Sequence, residues 1–364
     1  MTKFRTDDKR AAVLITAATL ALAILFTACP QKAKAKPAKP NVPSIFKTDG
    51  NGIIIGYTCE KDDLPKALVI PAKIGAEDIT GIGYKAFQNC TGLTSLDLSG
   101  CASLTTIDMN AFQDCTGLTS LDLSGCASLT TIDMNAFKGC TGLTDVRFHE
   151  NLAKIGVQAF NGCTGLTDVQ FSESLTEIGR SAFEGCTVLK SLDLSGCTSL
   201  TTIGTYIFEG CTGLTDVQFP KSLTEIGQSA FKDCTGLTDV QFPKSLTEIG
   251  QSAFKDCTGL TDVQFPKSFT KIGAQAFKGC TGLTDVQFPE KLTEIGWRAF
   301  YDCKVLTSVI FADKTRWAVY DDDKYNTKYA DITSDDLDDS SKAAKYLLKS
   351  TYNGGYNNKY WKKN

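Results

Sequence analysis

From Phe87 onward the chain repeats one short unit that is too small to fold alone. The pair Ala-Phe, followed after two residues by Cys, recurs with the cysteine at 90, 115, 140, 163, 186, 211, 234, 257, 280 and 303; only Ile207-Phe208 departs from the pair. The steps are 23 or 25 residues, and residues 222–244 and 245–267 are identical. Within one unit, Leu223, Ile226, Ala230, Phe231, Cys234, Leu237, Val240 and Phe242 are apolar. So few positions cannot enclose a core. Each unit must bury its apolar face against its neighbours, which makes a solenoid with one continuous core.

The pattern inside the unit assigns its parts. Leu237 to Phe242 alternates apolar and polar residues near its end, as a half-buried strand does, and Leu223 to Ile226 reads as a second short strand. Residues 228–235 hold Ala, Phe and Cys at helix-like spacing, which predicts one helical turn. Thr-Gly and Phe-Pro steps turn the corners. The residue after the recurring Ile is Gly at 156, 179, 204, 227, 250, 273 and 296, and Asp at 108 and 133. Gly and Asp share a tolerance for left-handed backbone, so the position is expected to be a corner of positive φ. The 25-residue copies read LSGCASL or LSGCTSL where the others read FPKSL or similar, so the insertion should widen the corner between the strands.

The two ends differ from the middle. Residues 1–10 are charged, residues 11–28 are apolar apart from threonines, and Cys29 is followed by a Lys/Ala/Pro tract. This is the order of a signal peptide, 1–28, with the alternative of an uncleaved anchor. Phe26-Thr27-Ala28-Cys29 resembles a lipobox, which would make Cys29 the lipidated first residue and 29–43 an extended tether. Residues 44–80 read as a degenerate first coil that closes one end, and 81–311 as ten repeats. Residues 312–364 contain a Ser/Asp helix start, an amphipathic run and a Gly-Gly stop. They are also rich in Trp and Tyr, so the segment is read as a helical cap, with an aromatic contact patch as the alternative.

Catalytic and metal chemistry finds little footing. The chain has one histidine, His149, expected at the surface without a partner set, so Ser-His and Cys-His nucleophiles are nearly closed off. No glycine-rich phosphate loop appears, and no cofactor or metal is expected. With a net charge of -3, the chain lacks the basic footprint of a nucleic-acid binder. Its fifteen cysteines include ten in one register, which are read as buried, reduced thiols filling the core. Cys101 and Cys126, in the inserted corners, are expected to be more exposed and are the best candidates for a disulfide.

Carboxylates and amides are periodic instead. Asp145, Asp168, Asp216, Asp239, Asp262 and Asp285 share one strand register; Gln170, Gln218, Gln241, Gln264 and Gln287 share the register two residues on. Both rows should lie on one exposed face, which is either a solvated surface multiplied by duplication or a ligand surface. Glu177, Glu225, Glu248 and Glu294 predict a third row on the other strand.

The unit Leu-Thr-x-Ile-Gly-x-x-Ala-Phe-x-x-Cys-x-x-Leu-Thr-x-Val-x-Phe-Pro resembles the BspA-like leucine-rich-repeat surface proteins, over residues 53 to about 311. The segment Ser340-Lys342-Ala343-Ala344-Lys345-Tyr346-Leu347 is similar to the tail of spirochaete members. The resemblance implies an α/β repeat fold: a right-handed leucine-rich-repeat solenoid of short strands and short helical turns with a C-terminal helical cap. It also implies a non-enzymatic, lipid-anchored surface adhesin. Its partners would be host extracellular-matrix or cell-surface proteins such as fibronectin and fibrinogen, or other bacteria, with the membrane reached through the lipid. The rival expectation is a structural envelope or co-aggregation protein without a host ligand. No binding residue is carried over from the family; the Asp and Gln rows are the candidates from the pattern alone.

Overall fold

The structure, a computed structural model, describes residues 45–364. The signal-peptide and tether expectations and Cys29 therefore lie outside the described residues. The repeats form coils with three walls. One wall is a row of parallel strands such as Asp239–Gln241 and Asp262–Gln264, paired in exact coil register with Val240 opposite Val263. A second is a row of two-residue parallel strands such as Glu225–Ile226, Glu248–Ile249 and Lys271–Ile272.

The third wall corrects the expected helical turn. Along residues 229–234 the backbone N–H groups alternate in direction. Ser229, Phe231 and Asp233 donate to Gln251, Ala253 and Lys255 of the next coil at 2.8–2.9 Å, while Ala230, Lys232 and Cys234 donate back to Gly227, Ser229 and Phe231 of their own. A helix cannot alternate in this way, because all its N–H groups point along its own axis. The alternation needs left-handed residues at Ser229 (φ 52°) and Asp233 (φ 61°), and the same two registers are positive throughout the array, as at Gln275 and Gly279. The gain is a ladder of backbone bonds along the solenoid axis.

That close stacking explains the recurring glycine, and differently from expectation. Gly156, Gly227, Gly250 and Gly273 do not have positive φ. A Cβ on Gly273 would instead lie 2.4 Å from the carbonyl carbon of Gly250 and 2.5 Å from the Gln251 nitrogen. Coil spacing, not torsion, excludes a side chain there.

Inside the walls the apolar residues form continuous columns. Phe87, Phe112, Phe137, Phe160, Phe183, Phe208, Phe231, Phe254, Phe277 and Phe300 stack with centroids 5.1–5.7 Å apart and planes within 19°. Each such pair contributes about 0.5–1.5 kcal/mol beyond simple burial. Beside them, Phe219, Phe242 and Phe265 meet Phe231, Phe254 and Phe277 edge-on at 5.8–5.9 Å. In the inserted corners this second column changes composition. Leu98, Leu123 and Leu194 replace the phenylalanine, and Cys101, Cys126 and Cys197 fold in with them. The insertion is one extra turn: Cys101 N donates to Leu98 O and Leu104 N to Cys101 O, where a short corner has only Leu223 N to Pro220 O. Cys101 and Cys126 are thus buried, not exposed as expected, and every cysteine among the described residues is free, so this candidate pair is not joined by a disulfide.

Both open ends are closed. At the start, Phe46–Thr48 and Ile53–Tyr57 form an antiparallel hairpin that joins the two-residue strand row at Gly81–Ile82. Tyr57 stacks on Phe87 at 5.9 Å and ends the column. At the far end, strand Tyr360–Lys363 runs antiparallel to Glu294–Ile295, with Trp361 opposite Ile295. The C-terminal segment takes the bonds that another coil would supply: Lys363 N donates to Thr293 O, and Arg298 N to Asn357 O. Strands Trp317–Tyr320 and Lys328–Ile332 extend that sheet. A small helical segment, α1 (Ser334–Asp338) and α2 (Ser340–Leu348), packs against the last repeat strand, Ser308–Phe311. The capping box at Thr333 and Asp336 and the Asp339 side chain fix the two helix starts. Trp317 and Trp361 are buried against Phe311, while Tyr329 and Tyr352 are 50% and 95% exposed, so the aromatic residues divide between plug and surface.

Candidate binding surface

In each strand such as Asp239–Gln241 the valine points into the core and its two neighbours point out, because side chains alternate along a strand. The candidate residues therefore share one outer face. Asp168, Gln170, Asp216, Gln218, Asp239, Gln241, Gln264, Asp285 and Gln287 are exposed, while Asp145 and Asp262 are half-buried. Coil register brings Asp145 opposite Asp168, Asp239 opposite Asp262, and Gln241 and Gln287 each opposite Gln264.

The rows are not unbroken. Ser95, Ser120, Ser191 and Ser308 occupy the Asp register, and Asp97, Asp122, Arg147 and Asp193 occupy the Gln register. The three aspartates in the Gln register have a local task. Each accepts the N–H two residues on (Ser99, Ser124 or Ser195) at 2.9 Å and starts an inserted corner. The longest uniform stretch runs from Asp216 to Gln287.

Like charges about 4.8 Å apart repel mildly even in water. The neighbouring amides offset this. Gln241 Nε2 donates to Asp239 Oδ1 at 3.0 Å, and Gln264 Nε2 donates to Asp262 Oδ2 at 3.2 Å. At other coils a threonine does so, Thr144 to Asp145 at 3.0 Å and Thr284 to Asp285 at 2.9 Å. The carboxylates keep further acceptor positions for a partner's donors. In the following corner Lys221, Lys244 and Lys267 are exposed and form no ion pair among the described residues. The outer surface of coils 216–287 thus carries parallel rows of acid, amide and ammonium.

The third predicted row differs from expectation. Glu177 meets Lys154 at 3.1 Å, and Lys271 stands between Glu248 and Glu294, 3.8 Å from the latter. Only Glu225 and Glu248 adjoin as like charges. The Lys154–Glu177 pair is exposed and contributes at most about 1 kcal/mol, while Glu294 of the other pair is half-buried. Threonines organise this wall instead: the Oγ1 of Thr224, Thr247, Thr270 and Thr293 donates to the previous coil's carbonyl at 3.0–3.2 Å.

His149 is half-buried in its corner, where Nδ1 accepts from Asn151 N at 3.1 Å. It thus has a structural partner that sequence reasoning did not supply. Among the described residues no group of three or more His, Cys, Asp or Glu could hold a metal ion, and no helix is long and apolar enough to cross a membrane.

Stacked coils, two parallel strand walls and a closed phenylalanine core define a leucine-rich-repeat solenoid, a class that generally serves protein interaction. A family model described as the BspA type leucine rich repeat region matches residues 70–190, 130–260 and 201–317, together more than half of the chain, and the chain belongs to that family. Among solved structures, a leucine-rich-repeat protein of T. pallidum is 30% identical, the match covering 57% of this chain and 92% of that one at a TM-score of 0.46. One from Bacteroides ovatus is 25% identical, covering 68% and 92% at 0.33. The pneumococcal vaccine antigen PcpA is 20% identical, covering 74% and 80% at 0.47. No curated protein matches the chain.

Proposed function

We propose that the chain is an exported, lipid-anchored surface protein that works as an adhesin, binding host extracellular-matrix or cell-surface proteins through the Asp/Gln face. The observation that carries this reading is the run of outward aspartates and glutamines from Asp216 to Gln287, exposed except at half-buried Asp262 and paired in register from Asp239 onward. It offers many weak, identical contacts along one axis, which suits an extended protein partner better than a small molecule. Cys29 is the proposed lipid site and the first 28 residues the export signal. Radiolabelled palmitate should enter the wild-type protein and not Cys29→Ser.

The test of adhesion is binding of folded residues 30–364 to immobilised fibronectin, fibrinogen and laminin across a salt series. Saturable binding to at least one, weakening as salt shortens the screening length, is expected. A second reading is a structural envelope or co-aggregation protein with no host ligand. The identical coils 222–244 and 245–267 favour it, because they add length without adding a distinct surface. Binding to none of the three matrix proteins, together with protection from added protease on whole cells, would select that reading.

A further inference from the structure

The last coil departs from the preceding one most densely between Trp297 and Val305. Arg298 and Lys304 stand where the preceding coil has Gln275 and Thr281, and Tyr301 stands where it has Lys278. These residues line an open cleft between the last coil and the cap, whose other side is formed by Lys349, Ser350 and Asn353. Packing of the cap does not account for Tyr301 and Lys304, because Tyr301 and the adjoining Val305 remain 39% and 45% exposed and Lys304 is exposed, while Arg298 is half-buried.

The cleft is cationic and unsatisfied. Arg298, Lys304 and Lys349 form no ion pair among the described residues, and one carboxylate, Asp302, shares the lining. The Arg298 guanidinium is fixed in place, its Cζ 4.3 Å from the Trp297 ring centre and 5.1 Å from that of Tyr301. Its Nε is buried without a hydrogen-bond partner. A held, planar, unpaired guanidinium is the group best suited to a carboxylate, which it meets with two parallel bonds.

We propose that this cleft binds the carboxylates of an acidic peptide segment, with Arg298, Lys304 and Lys349 as the recognising side chains. The ring faces argue for a peptide over an acidic sugar. A sugar would stack on an open aromatic face, but Arg298 lies over Trp297 and Tyr301, and Lys278 is also 5.8 Å from the Tyr301 centre. The site lies apart from the Asp/Gln face and selects the opposite charge, so it is independent of the adhesin reading.

The test titrates the full chain with an acetylated, amidated tetraglutamate peptide by calorimetry, with glucuronate as the sugar arm. Arg298→Gln combined with Lys304→Thr restores the residues of the preceding coil, so the fold should be kept, as circular dichroism and the melting midpoint will show. Saturable peptide binding that weakens about tenfold or more in this double variant is expected. Asp302→Asn should tighten it, and Asp216→Ser with Asp239→Ser and Asp262→Ser should leave it no weaker. Absent peptide binding, equal binding by the folded double variant, or glucuronate binding more tightly than the peptide would each overturn the proposal.

Discussion

The thiol of Cys257 donates to the carbonyl oxygen of Phe231 in the preceding coil, with the sulfur 3.1 Å from the oxygen. The same bond recurs along the column, from Cys115 to Phe87 at 3.1 Å through Cys303 to Phe277 at 3.1 Å. Each of these carbonyls already accepts the N–H of the cysteine in its own coil, Cys234 N in the case of Phe231. The recurring residue must therefore be small, buried and able to donate one bond. A reduced cysteine meets all three conditions, and a disulfide would remove the donor.

Replacing Cys257 by Ala deletes both the bond and the sulfur volume. We expect a loss of about 1–2 kcal/mol, read as a lower urea midpoint. Native protein should react with a thiol reagent slowly at Cys257 and its column, and fastest among the described cysteines at half-exposed Cys59.

Burial also sets an alkaline limit. It pushes the thiols of Cys140, Cys211 and Cys303 up to about 12, and those of Cys101 and Cys197 to about 11, from an ordinary value of 9.0. The folded state therefore holds protons that the unfolded state releases. This contribution to stability is fully present below about pH 9 and is lost as pH rises from 9 towards 12. Urea midpoints should be level from pH 7 to 8 and fall continuously above 9. A midpoint that held constant to pH 11 would contradict the buried-thiol column.

Gly273→Ala places a methyl group against the Gly250 and Gln251 backbone, whereas an added Cβ at Gly162, whose φ is +71°, meets open space. The first substitution should cost about 1–3 kcal/mol or more through coil separation. The second should cost nearer 1 kcal/mol through torsion alone. Denaturant titration of the two variants separates spacing from torsion.

Trp361→Ala removes a buried side chain that plugs the last coil against Ile295 and Phe311. A loss of about 3–5 kcal/mol is expected. Amide exchange should rise first in coils 271–311 and last in coils near Phe137, because a solenoid unravels from an uncovered end.

The repeat told most of this in advance, because a core built by stacking imposes the same demand at the same register in every copy. The phenylalanine column, the cysteine column and the outward Asp and Gln rows were legible for that reason. What was not legible depends on the contact between coils. Gly273 looks in sequence like a torsional glycine, and only the 2.4 Å approach to the next backbone shows that it is not. The true left-handed sites lie two and six residues on, at positions such as Ser229 and Asp233. The second of these carries Asn, Asp or Gly in all ten copies, and that signal was available in the sequence. Cys101 and Cys126 looked exposed because an insertion ordinarily bulges outward, yet here the extra turn folds inward to replace a phenylalanine ring. The lysines that interrupt the glutamate row, such as Lys271, become its partners only once coil register is known.

The most direct test of the central claim compares the wild-type chain with the variant carrying Asp216→Ser, Asp239→Ser and Asp262→Ser on the matrix protein that binds best. Serine already occupies this register at Ser95, Ser120, Ser191 and Ser308, so the variant should fold with an unchanged melting midpoint. Affinity should weaken by about tenfold or more, with a shallower salt dependence. Unchanged affinity in the folded triple variant would contradict that claim and move the binding surface off the Asp/Gln face.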